Sequence, residues 1–138
     1  MLRTVLVAVD GSPPSEAAVE FVAAEWPSAT VVLFHVVDPS AAGYEAVTTT
    51  AETWYDRERE RADELLDAAA EPLPETATVE RLVEVGRPAS TIVEVAEREN
   101  VDHVVLGSHG RAGISRVLLG SVAETVVRRS PVPVTVAR

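Results

Sequence analysis

Two apolar runs rich in β-branched residues, 4–9 (TVLVAV) and 30–37 (TVVLFHVV), constrain this chain more than any other feature. Runs this short and this uniformly apolar have the pattern of strands covered on both faces. The segment between them opens with Asp10-Gly11-Ser12 and Pro13-Pro14, where Ser12 or Ser15 can cap a helix and the prolines suit its first turn. Ala17, Ala18, Phe21, Val22 and Glu25 then recur at helical spacing, and Pro27 ends the element. Strand, helix and strand in that order predict a parallel pair joined by a right-handed crossover.

The rest of the chain repeats the alternation. Residues 38–50 read as a loop, and 51–71 as a long helix with Trp54, Tyr55, Ala62, Leu65, Leu66 and Ala69 as its buried stripe. The mixed charges of 57–61 (RERER) belong to its solvated face. Pro72 and Pro74 break the chain before 78–85 (TVERLVEV), whose partly polar pattern suits an edge strand. Gly86-Arg87-Pro88 turns into a helix that buries Ala89, Ile92, Val93 and Ala96, with Asn100 as a left-handed cap. A strand over 103–106, a helix over 121–129 and a closing run over 131–136 complete the pattern. The result is one α/β domain over 1–138, a doubly wound five-stranded parallel sheet with helices on both faces. Pro133 cannot donate to a ladder, which puts the last strand at an edge or a bulge.

Candidate chemistry is concentrated in 104–122, VVLGSHGRAGISRVLLGSV. An apolar run stops at Gly107, further glycines follow, and Ser121 stands where the next helix begins. Glycine allows close backbone approach to a ligand, and free N–H groups at a helix start favour an anion. Strand, glycine loop, hydroxyl and helix start therefore suit a phosphate. Arg111 and Arg116 are the basic side chains of the stretch and suit a phosphate, although Arg116 equally suits a surface position on a short helical turn. His109 is the histidine best placed for phosphate or catalysis, whereas His35 reads as a satisfied core residue and His103 as an exposed one. The histidines lack metal-ligand spacing, so no metal site is assigned. Ser108, His109 and Asp10 make a triad on paper, but no GxSxG elbow accompanies them. Asp10 suits either a turn and cap role or a carboxylate accepting from a ribose hydroxyl or an amino group. Ser12 suits either a cap or a phosphate contact.

The pattern Gly107-x2-Gly110-x9-Gly120-Ser121 resembles the ATP-binding motif of the universal stress protein family, in its nucleotide-binding branch. The opening strand ending in Asp10, the HVVD of 35–38, the GRP of 86–88 and the PVPV of 131–134 extend the resemblance over the whole chain. It implies a Rossmann-like sheet of order 3-2-1-4-5, with a crevice at the switch point between the first and fourth strands. It implies an adenine nucleotide there, ATP or a related one, accompanied by Mg²⁺. Val9, Asp10 and Ser12 would border it after the first strand, and Val36 would read the adenine edge through its backbone. Leu106, Gly107, His109, Gly110 and Arg111 would follow the fourth strand, with Gly120, Ser121 and Val122 at the helix start. The implied role is a nucleotide-responsive regulator of the stress response. A slow ATP hydrolase in the same pocket and a nucleotide-independent dimeric adaptor are the alternatives, and no catalytic residue is assigned. The family also implies a homodimer through the closing strand between Val132 and Val136.

Charge narrows the field further. The formal net charge is −10, all twelve basic residues are arginine, and cysteine is absent. A surface this acidic argues against nucleic-acid binding, which depends on neutralising phosphates. It is similar to the acidic surfaces of proteins that work in high salt, where self-repulsion is screened. Without lysine there is no Walker P-loop, kinase lysine or Schiff base, and without cysteine no disulfide or thiolate site. No leader and no apolar run of membrane-spanning length is evident, which points to the cytoplasm and away from a membrane. The first turn carries Gly11 alone, so the dinucleotide GxGxxG fingerprint is missing.

Overall fold

The computed structural model describes residues 3–109 and 119–138. Its strands are β1 (Thr4–Ala8), β2 (Thr30–Val37), β3 (Thr78–Val85), β4 (His103–Gly107) and β5 (Val134–Ala137). Helices α1 (Pro13–Glu25), α2 (Glu45–Thr48), α3 (Ala51–Ala70), α4 (Pro88–Arg98) and α5 (Ser121–Arg129) lie between them. The strands form one parallel sheet in the order β3-β2-β1-β4-β5, as the resemblance implies. The order reverses between β1 and β4, so the chain diverges to either side and leaves a crevice beyond the strand carboxyl ends.

The two faces of the sheet explain the two apolar runs. Val5, Val7, Val31 and Leu33 pack with Ala18, Val19 and Val22 of α1 and Leu66 of α3. Leu6, Val32, Phe34 and Val104 pack with Ile92, Val95 and Ala96 of α4 and Ala123 and Val126 of α5. Alternate residues of the central strands thus meet different helices, and no side of β1 is left for polar residues. Full burial of one such aliphatic side chain is worth about 1.5–3 kcal/mol. At the strand amino ends, Asp102 ties the two central strands together by accepting the N–H groups of Arg3 and Thr4 at 3.1 and 2.9 Å.

Several expectations need correction. Residues 38–50 are not a plain loop: Pro39–Ala42 form a 3₁₀ turn capped by Asp38, and α2 follows. These four-residue elements are too short to show helical periodicity in sequence. In α1, Val19 takes the core position and Glu25 is exposed, because the last turn runs past the edge of the apolar stripe. In α3, Trp54, Ala62 and Leu66 are buried, whereas Tyr55, Leu65 and Ala69 are half-buried at its margins. β4 continues through Gly107, and β5 begins only after Pro133, whose carbonyl accepts the Val104 N–H at 3.0 Å. The edge positions of β3 and β5 agree with the sequence reading. Asn100 has φ 52°, the left-handed cap expected of it.

Candidate functional site

The first wall of the crevice is the turn after β1. Val9 is buried and its N–H donates to the Phe34 carbonyl at 2.8 Å, which carries the sheet pairing past the end of β1. Gly11 has φ +82°, a conformation that L side chains rarely adopt, so the chain reverses there into α1. The Asp10 Oδ1 accepts the Ser12 N–H at 2.9 Å, closing an Asx turn. Ser12 is the N-cap, its Oγ accepting the Ser15 N–H at 3.3 Å. Ser15 in turn accepts the Asp10 N–H through Oγ at 3.1 Å. The two hydroxyls reach across the same helix start in opposite directions, as the partners of a capping box do. Asp10 thus performs its turn role here, and among the described residues its second carboxylate oxygen has no hydrogen-bond partner.

Behind this turn, the His35 ring donates from Nδ1 to the Val9 carbonyl at 2.8 Å. Nδ1 is thus satisfied as expected, but the residue is half-buried and not the core residue the sequence suggested. Val36 is half-buried next to it, near the carboxyl end of β2.

The second wall is the end of β4. Leu106 is buried in the core, and Gly107 meets the first turn of α1 at very short range. A Cβ on Gly107 would lie 2.7 Å from both the carbonyl carbon and the Cβ of Pro14, and 2.9 Å from the Ser15 nitrogen. No larger residue fits without moving the helix. Ser108 is buried, with its N–H donating to the Ala137 carbonyl at 2.6 Å. Its carbonyl accepts the Gly120 N–H at 2.7 Å, which brings the start of α5 against the end of β4. Ser12 Oγ donates to the His109 carbonyl at 3.5 Å, linking both walls.

Gly120 is the N-cap of α5 and supplies no side-chain acceptor. Ser121 is the first residue of that helix and is exposed, and Val122 is half-buried. The described residues therefore gather Val9, Asp10, Ser12, Leu106, Gly107, His109, Gly120 and Ser121 around one end of the sheet. Gly110, Arg111 and Arg116 lie outside the described residues. Sequence reasoning named Ser108 only in the discounted triad with His109 and Asp10, and offered Ser15 only as an alternative cap. A hydroxyl at both ends of the Ser12-x-x-Ser15 spacing was the available signal for the second.

His103 corrects an expectation. It is half-buried at the opposite end of the sheet, 5.0 Å from the Trp26 ring and with Nε2 2.7 Å from Thr135 Oγ1. Burial pushes its pKa down. Asp102, beside it, is held below the usual carboxylate range by the Thr4 and Arg3 N–H groups. Among the described residues, no group of three or more His, Cys, Asp or Glu side chains could hold a metal, and no helix is long and apolar enough to cross a membrane.

A doubly wound parallel sheet, with glycine turns and two helix starts meeting at its switch point, defines a Rossmann-like α/β protein. The family model described as "Universal stress protein family" matches residues 1–138, and the chain belongs to that family. A universal stress protein of Thermus aquaticus is 31% identical over 144 residues, covering 100% of both chains. Against universal stress proteins of Methanocaldococcus jannaschii and Mycobacterium tuberculosis, the match spans only 37% and 45% of the relative's length. The solved structure of the hypothetical protein MJ0577 has a TM-score of 0.87 at 31% identity, covering 99% of this chain and 96% of that one. A universal stress protein solved in complex with cAMP has a TM-score of 0.65 at 28% identity, covering 99% and 97%.

Proposed function

We propose that this chain binds an adenine nucleotide, ATP or a close relative, in the crevice between β1 and β4, and that occupancy acts as a regulatory signal. The observation that carries the reading is the start of α5. Its cap is a glycine without an acceptor side chain, held against the end of β4 by the 2.7 Å bond from the Gly120 N–H to the Ser108 carbonyl. Free N–H groups and the positive helix end favour a phosphate at that place. Asp10 retains a carboxylate oxygen for a ribose hydroxyl, and the backbone of Val36 is the candidate for the adenine edge. Ser12, Leu106, Gly107, His109 and Val122 would complete the lining, together with Gly110 and Arg111. A related protein solved with cAMP supports an adenine ligand. On a chain of net charge −10, Mg²⁺ brought in by the nucleotide would offset repulsion of its phosphates.

The same reading includes a homodimer formed through the β5 edge and a cytoplasmic setting. Calorimetric titration with Mg-ATP, ADP, AMP, cAMP and GTP in concentrated salt tests the ligand. The expected result is saturable heat near one adenine nucleotide per subunit, weak or absent with GTP, and reduced in Gly110→Val. No heat with any adenine nucleotide would reject the reading. Phosphate release measured in parallel decides between a binding module and a hydrolase, and the binding module predicts none above background.

A further inference from the structure

The Ser108–His109 pair holds an imbalance that the fold does not resolve. Ser108 is 5% exposed, and its Oγ lies 3.0 Å from His109 Nδ1. The other ring nitrogen, Nε2, is buried and has no hydrogen-bond partner among the described residues. A neutral imidazole carries one hydrogen and one lone pair, so two arrangements are available. If the ring donates from Nδ1, the Ser108 hydroxyl hydrogen and the Nε2 lone pair both lack a partner among the described residues. If Ser108 donates to Nδ1, only the Nε2–H is left over. Each buried unpaired group costs its desolvation, so the second arrangement is favoured.

Backbone bonds fix the pair in place. The Ser108 N–H is tied to Ala137, the Ser108 carbonyl to Gly120, and the His109 carbonyl to Ser12. We propose that Ser108 is a positioning residue that sets His109 as the Nε2–H tautomer, so that the ring offers a donor and the site selects ligands bearing an acceptor-only anionic group. The inference rests on the nucleotide-binding reading and names what distinguishes one adenine ligand from another. A phosphate oxygen accepts from Nε2–H, whereas a ligand ending in a hydroxyl makes only a neutral bond. ADP is therefore preferred over adenosine through this ring.

Two readouts on the full chain test it. Nitrogen-15 spectra of the ring without ligand report the tautomer directly. Wild type is expected in the Nε2–H form, Ser108→Thr to keep it, and Ser108→Ala to lose it. Calorimetry with ADP and adenosine reports the selectivity. Ser108→Ala is expected to weaken ADP by about three- to tenfold and adenosine by less than about twofold. His109→Gln, whose amide nitrogen reaches the ε position, is expected to retain more of the ADP preference than His109→Asn. A wild-type ring in the Nδ1–H form, or equal weakening of both ligands by Ser108→Ala, overturns the inference alone. Failure of wild type to bind either ligand overturns the nucleotide reading and this selectivity with it.

Discussion

At Gly107 the requirement is space. The sequence shows a glycine closing a strand, but the reason lies in α1, whose Pro14 and Ser15 occupy the volume a Cβ would need. Gly107→Ala is expected to cost about 1–3 kcal/mol in chemical denaturation, because the clash is with backbone that belongs to a capped helix. Unchanged stability would show that α1 yields freely. His103 and Asp102 give the pH dependence. Both have folded-state pKa values below the ordinary one, so the unfolded chain binds more protons in acid. Stability from His103 is complete above its ordinary value of 6.5 and is lost as the pH falls through the depressed folded value. Asp102 adds a second loss, beginning near its ordinary 3.8. Thermal scans should therefore show melting temperature falling below about pH 6.5, with His103→Gln removing the first part of the fall. A flat profile in wild type would contradict this assignment. His103 was misread because a histidine next to an aspartate looks exposed, whereas its surroundings come from Trp26 and Thr135, distant in sequence.

Among the elements, β1 and β2 were legible because burial on both faces leaves an unbroken apolar run. α3 was legible because its stripe repeats over 20 residues. The start of β5 was less so, since Val132 and Val134 are equally apolar and only the pairing with β4 decides where the ladder begins. That ladder bears on assembly. The Pro133 and Ala137 carbonyls accept from Val104 of β4 and from Ser108 just beyond it, so by strand alternation the N–H groups of Val134 and Val136 point to the open edge. β5 is half-exposed throughout and ends the sheet. An apolar edge of this kind is available for pairing with a second copy. Val136→Pro removes an outward donor without touching the ladder to β4, and sedimentation is expected to show a dimeric wild type and a monomeric variant. A variant that stays dimeric would move the interface elsewhere. The motifs of the candidate site were legible at the ends of β1 and β4, and their convergence came only from the strand order that the family resemblance supplied.

For the whole molecule, charge and fold act separately. Twenty-two carboxylates against twelve arginines leave a net charge of −10, which opposes the compact state at low ionic strength. The arginines are partly used in exposed pairs such as Arg57–Glu45 and Arg128–Glu124, each worth little in water. Raising salt from about 0.1 M to about 1 M shortens the Debye length from about 10 to about 3 Å and should raise the melting temperature. A fall over that range would count against a surface adapted to salt. The central claim is that three separated pieces of sequence meet one ligand at one end of the sheet. Amide chemical-shift mapping during titration with ADP tests it most directly. Shifts are expected at Asp10–Ser12, Ser15, Val36, Gly107–His109 and Gly120–Val122, with His103 and Thr135 at the far end unmoved. Shifts centred on that far end, or spread along the β5 edge alone, would place the ligand elsewhere and contradict the account.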